Sequence, residues 1–160
     1  MKSPDDYINI LQIFYAYFAA LEDQINQFIG LDQLPDYAER RKTESIKNDI
    51  LALNGVVPEK ATAVDLPEIG SMLQAFGALY VIEGSTLGGQ VISKIISKQL
   101  ALDDVAGISF FKSYGEQTMA MWEKFKAVLE HHAASQEAAD EITEAANETF
   151  GKFRLWMEKK

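Results

Sequence analysis

The sequence predicts an all-α fold. Apolar residues recur at alternating spacings of three and four over long stretches, and serine, proline and glycine sit where helices should begin and end. No alternating strand pattern holds for more than a few positions. With 160 residues, 48% of them hydrophobic, the chain can bury a real core without staples, and a single domain over residues 1–160 is expected.

Each element has its own signature. From Ser3 to Gly30 the positions Tyr7, Leu11, Phe14, Phe18, Leu21, Ile25 and Phe28 form one helical face. Ser3 is placed to cap the amino end, with Pro4 in the first turn beside Asp5 and Asp6, and Gly30 is the natural stop. Pro35 and Asp36 open a second helix expected to run to Gly55 on a thin apolar face of Tyr37, Ile46, Ile50, Leu51 and Leu53. Val56 to Asp65, around Pro58, reads as a loop. Leu66 to Leu100 is the longest helical pattern and Leu102 to Ser109 a connection. Residues 110–132 form the next helix, with a break at Gly115 near its start. Ser135 caps the last helix, whose inner face is expected to run through Ala138, Ile142, Ala145, Ala146, Phe150, Phe153 and Met157.

Composition removes several functions. A net charge of −9 argues against nucleic acid and anionic membranes, which both need a basic footprint. No apolar run reaches the roughly 18–20 residues of a membrane span, and no basic start leads into an apolar stretch, so a cytoplasmic protein is expected. The absence of cysteine excludes disulfides, thiolate metal sites and cysteine nucleophiles.

The stretch from Glu83 to Lys94, EGSTLGGQVISK, places Gly84, Gly88 and Gly89 inside the longest helix. Each costs about 0.5–1 kcal/mol relative to alanine in a helix interior. Close packing against another helix would offset this, as would a helix bent over a flat apolar ligand that needs bare backbone beside it. The other candidates for chemistry are weaker. His131 and His132 are adjacent, about 100° apart on a helix, so they form no shared metal clamp, and a helix carboxyl end suits them electrostatically. No metal-ligand set emerges, and no phosphate-binding lysine loop or nucleophile elbow is present. Ser85 and Thr86 lack a histidine base in the same pattern. Arg40, Arg41 and Lys42 read as a solvated helix face paired with neighbouring carboxylates.

GALYVIEGSTLGGQVISKIISKQL resembles the distal helix of the heme (haem) oxygenase family, whose bacterial members carry a near-identical L-Y-V-x-E-G-S-T-L-G segment. The likeness extends from Ser3 to about Met157. FYAYFAALEDQI is similar to the family's second helix, LPDYAERRKTESIKNDILAL to the Pro, basic-pair, Asp pattern of the next, and FFKSYGEQTMAMWEKF and EAANETFGKF to the last two. The resemblance implies a helical bundle with a glycine-kinked distal helix, heme as substrate and cofactor, and oxidation to biliverdin, CO and iron by O2 and an electron donor such as ferredoxin. It implies distal roles around water and O2 for Ser85 and Gly84, and heme contacts for Gly84, Gly88, Gly89, Lys112 and Phe150. Lys112 would meet a propionate, while Glu116 stands where a second basic residue is expected.

The family's iron-ligating histidine lies on a helix that precedes the aromatic one, and Ser3 to Tyr7 already align with the start of that second helix. The resemblance therefore implies no proximal ligand within these residues, which leaves the 160-residue chain inactive alone. It also implies an exposed apolar face prone to aggregation or homodimerisation. A longer complete protein, a variant scaffold or a second copy filling the gap would each account for this. Two readings stand at this point: a heme oxygenase in its complete form, or a non-catalytic scaffold that binds a tetrapyrrole or a partner.

Overall fold

The computed structural model describes residues 3–100 and 107–160. Among these there are six α-helices and no strand: α1 Pro4–Ile25, α2 Glu44–Ala52, α3 Met72–Leu100, α4 Ser109–Lys112, α5 Thr118–His132 and α6 Gln136–Glu158. No helix among the described residues is long and apolar enough to cross a membrane. The expected connection from Leu102 lies, up to residue 106, outside the described residues.

α1 starts as its sequence requires, with Ser3 Oγ accepting from the Asp6 amide at 3.2 Å. It ends at Ile25, because the following amides close tighter turns, Gln27 N to Gln24 O and Phe28 N to Ile25 O. The single helix expected from Pro35 to Gly55 is divided. A short 3-10 turn, Tyr37–Glu39, leads to Arg40 in extended backbone, ψ 148°, and α2 begins only at Glu44. Glu22 of α1 holds the entry to α2 by accepting from Thr43 N at 3.0 Å and Thr43 Oγ1 at 2.9 Å. The longest helix begins at Met72 rather than Leu66. Pro67 lacks the amide a continuing helix would use, and Ser71 Oγ caps the true start by accepting from Gln74 N at 3.1 Å.

The break expected at Gly115 is present and wider than one residue. Ser113 and Gly115 both take φ of +59°, separating α4 from α5. α4 is held by Asp49 of α2, which is 2% exposed and accepts from Ser109 N at 3.1 Å and Phe110 N at 2.8 Å.

α3 runs through the middle, against α6 on one side and α1, α4 and α5 on others. Its closest approach to α6 is at Gly77, where an added methyl would come 2.5 Å from Ile142 O and 2.7 Å from Ala145 Cβ. α1 and α6 are clasped reciprocally. Tyr17 of α1 donates to Thr149 O at 2.8 Å, and Trp156 Nε1 of α6 donates to Ile13 O at 3.0 Å. This clasp sets the rotation of α6. Its buried line is Ile142, Ala145, Thr149, Phe153 and Trp156, whereas Phe150 and Met157, expected on the inner face, are 61% and 45% exposed. Phe14, Phe18 and Phe153 pack ring on ring at 5.0–5.4 Å between the same helices.

Candidate functional site

Between α1, α3 and α6 lies a cavity of about 500 Å³, floored by Phe14, Phe18, Phe111 and Phe153 and walled along α3 by Tyr80, Val81, Gly84, Ser85, Gly88 and Ile92. Asn147 and Ser85 are the polar side chains on an otherwise apolar and aromatic surface. This volume and lining are those of a small-molecule site.

Gly84, Gly88 and Gly89 of α3 do different things, although the helix is unbroken through all of them. Gly89 faces α4: a methyl there would stand 2.7 Å from Phe111 O and 2.7 Å from Ser113 Oγ. Protein packing alone accounts for it. At Gly84 a methyl would make an ordinary contact with Trp122 at 3.6 Å, and at Gly88 it would meet no protein atom within 4 Å. Both line the cavity, and protein packing requires a bare backbone at neither.

Behind this wall is a buried polar network that the sequence reading missed. Arg40, expected on a solvated face, is 3% exposed. Its guanidinium grips Asp36 through Nε at 3.0 Å and Nη2 at 2.8 Å, and Glu83 Oε1 through Nη1 at 2.8 Å. Glu83, 1% exposed, also accepts from Tyr114 OH at 2.8 Å, and that hydroxyl accepts from Arg41 N at 2.8 Å. Burial and the Glu83 charge push the Tyr114 phenol up, so it stays neutral and donates. Lys42 turns to the Tyr37 and Arg40 carbonyls. The basic cluster is therefore structural and inward-facing. The signal was available: Glu83 falls on the buried stripe of Leu79, Ile82 and Thr86, and a carboxylate there requires a cation.

Arg41 connects the network to the cavity. Its Nη2 donates to Ser85 Oγ at 2.7 Å and Ile82 O at 2.9 Å, its Nη1 donates to Phe110 O at 3.1 Å, and the guanidinium lies 3.9 Å over the Phe110 ring. Desolvation pulls its pKa down to about 10 against the pull of Glu83, which leaves it charged at neutral pH. Its Nε is the one buried side-chain polar atom without a partner among the described residues. Ser85 Oγ spends its own proton on Ile82 O at 2.6 Å. With Arg41 occupying one lone pair, the hydroxyl offers the cavity an acceptor.

Of the residues marked in the sequence, Gly84, Ser85, Gly88 and Phe150 are brought together on the cavity. Gly89 faces α4 instead, and Lys112 closes α4 outside the lining. His131 and His132 form the last turn of α5, where His132 stacks on Phe76 at 4.6 Å and its Nε2 lies 3.0 Å from Gln33 O. Neither lines the cavity, and no cluster of three or more His, Asp or Glu among the described residues could hold a metal ion.

Residues 2–159 match the family model described as heme oxygenase. The chain belongs to the heme oxygenase family. It is 27% identical over 153 residues to a heme oxygenase of Xanthomonas campestris pv. campestris (strain 8004), covering 96% of this chain and 89% of that protein. It is 24% identical over 157 residues to heme oxygenase PigA of Pseudomonas aeruginosa, covering 98% and 78% respectively.

Heme oxygenases bind heme as substrate, and the cavity fits the porphyrin part of it. The space left by Gly88 and Gly84, the phenylalanine floor and the few polar groups, the Ser85 acceptor among them, suit a flat apolar ring with a small polar centre. The iron finds no imidazole among the described lining residues.

Proposed function

We propose that this heme oxygenase family protein binds heme between α3 and the floor formed by α1 and α6 and supports its oxidation to biliverdin, CO and iron in the cytoplasm. The observation that carries this reading is Gly88, a helix-interior glycine whose missing side chain would touch nothing in the protein and would stand in the cavity. Bound heme supplies the iron that activates O2 and the porphyrin that is opened. The chain's own residues shape the space. Gly84 and Gly88 let the macrocycle approach the backbone of α3, and the phenylalanine floor excludes water. Ser85, oriented by Arg41, accepts a hydrogen bond from water or another donor held over the ring. Phe150 covers the cavity from α6. Lys112 is proposed to meet a propionate at the rim.

Heme titration tests this. A saturable Soret band is expected, strengthened by added imidazole as a free axial ligand, with biliverdin formed on addition of ascorbate. Gly88→Phe should fill the cavity and weaken heme binding by about tenfold or more while the fold is kept. No heme binding with or without imidazole would refute the assignment.

A further inference from the structure

We propose that the cavity also takes tetrapyrroles that carry no metal, and that Ser85 selects them by accepting a hydrogen bond from a pyrrole N–H; this rests on the reading above that a tetrapyrrole occupies the cavity. The Ser85 hydroxyl is already committed in two directions. Its proton goes to Ile82 O at 2.6 Å, and Arg41 Nη2 donates to its oxygen at 2.7 Å. Arg41 is itself fixed, through Nη2 to Ile82 O at 2.9 Å, through Nη1 to Phe110 O at 3.1 Å and by the Phe110 ring beneath it. A hydroxyl oxygen has two lone pairs, so what Ser85 turns to the cavity is one lone pair and no proton. The adjoining wall positions Val81, Gly84, Gly88 and Ile92 bring no polar side chain. An acceptor left unmatched against an apolar ligand is costly, so a ligand that brings a donor is favoured over one of the same shape that does not.

Tetrapyrroles divide on this point. A metal at the centre displaces the pyrrole protons, so a metalloporphyrin offers Ser85 a donor only through what its metal binds. A metal-free porphyrin keeps its inner N–H groups, and with no metal to hold the four nitrogens coplanar a pyrrole is free to tilt its N–H toward the wall. An opened, iron-free tetrapyrrole keeps N–H groups as well and twists more freely. The rest of the lining is indifferent to the difference. Gly84, Gly88 and the phenylalanine floor meet the faces of all these ligands alike, and no imidazole among the described lining residues gives a metal-bearing ring an advantage. Shape and apolar area set the affinity for the class, and Ser85 sets the choice within it.

The test titrates the heme-free chain with protoporphyrin IX, its nickel(II) complex and biliverdin. Nickel(II) keeps the ring and its substituents, removes the N–H groups and, being square-planar, takes up axial ligands poorly. Whichever of protoporphyrin IX and biliverdin binds the natural chain more tightly tells the closed from the opened ligand. That ligand is expected to bind about tenfold or more tightly than the nickel complex, a comparison that needs no variant. Ser85→Ala should weaken it by about tenfold and the nickel complex by less than about threefold. Its infrared N–H stretch should also lie lower when bound to the natural chain than to S85A, which a change in packing does not produce. Equal affinity of the natural chain for the nickel complex and the tighter iron-free ligand, or a loss in S85A that all three ligands share, overturns the proposal. Heme binding without binding of either iron-free ligand refutes this inference alone, whereas Ser85-dependent binding of an iron-free ligand without heme binding refutes the functional reading alone.

Discussion

The inner part of α3, from Met72 to Glu83, and the outer part, from Gly84 to Leu100, are both apolar helix with glycine in them, yet they answer to different partners. In the inner part Ala75 through Leu79 are all buried, Gly77 is wedged against the α6 backbone, and Glu83 is neutralised by Arg40. The protein's own packing explains these residue types, whereas Tyr80 and Val81 line the cavity. In the outer part Leu87, Val91, Ile92 and Ile95 are exposed and Gly88 faces empty space. A residue pattern that the protein's own packing does not explain is explained by what the protein binds.

The comparison can be broken at graded cost. Arg40→Met leaves Glu83 as a buried charge whose remaining partner is the Tyr114 hydroxyl, and should lower stability by about 3–5 kcal/mol in urea unfolding. A loss under 1 kcal/mol would show that the network does not anchor the inner part. Gly77→Ala forces a methyl onto Ile142 O and should cost about 1–3 kcal/mol, separating α3 from α6. The sharpest contrast is between neighbours. Gly89→Ala meets the Phe111 carbonyl and should also destabilise by about 1–3 kcal/mol, although the Ser113 side chain can swing away. Gly88→Ala should instead stabilise the heme-free protein by about 0.5–1 kcal/mol, the ordinary helix gain, while weakening heme binding. Effects of the same sign at 88 and 89 would mean that the two glycines do not differ in what they serve.

Much of the fold was legible because its determinants are local. Ser3 with Pro4, and Ser135, announce the starts of α1 and α6, and both caps are made. The stripe from Tyr7 to Ile25 gives α1 its buried face. What was hidden depends on distant partners. Arg40, in extended backbone where one helix was expected from Pro35 to Gly55, finds Glu83 across 43 positions, a partner that local propensity does not reveal. Nothing near Gly77 in the sequence marks the α6 carbonyl it accommodates. The aromatic choice on α6 turned on whether Trp156 could reach Ile13 O, which spacing alone does not reveal. At the site, the EGSTLGG segment located the wall, but its three glycines look alike in sequence and divide only when their neighbours are seen.

The reciprocal clasp of Tyr17 on Thr149 and Trp156 on Ile13 has a mechanical consequence. With a hydrogen bond running each way and Phe153 wedged between, α1 and α6 form a fixed jaw. Among the described residues no hydrogen bond joins the outer part of α3 to either of them; its links run to Arg41 through Ser85 Oγ and to the segment after α4, through Ser113 to Thr86 O and Gln90 to Gly115 O. That segment is where backbone φ turns positive at Ser113 and Gly115. The cavity is thus walled by a helix tied to the α4 side and floored by a pair of helices tied to each other, so its two sides are held by separate sets of bonds.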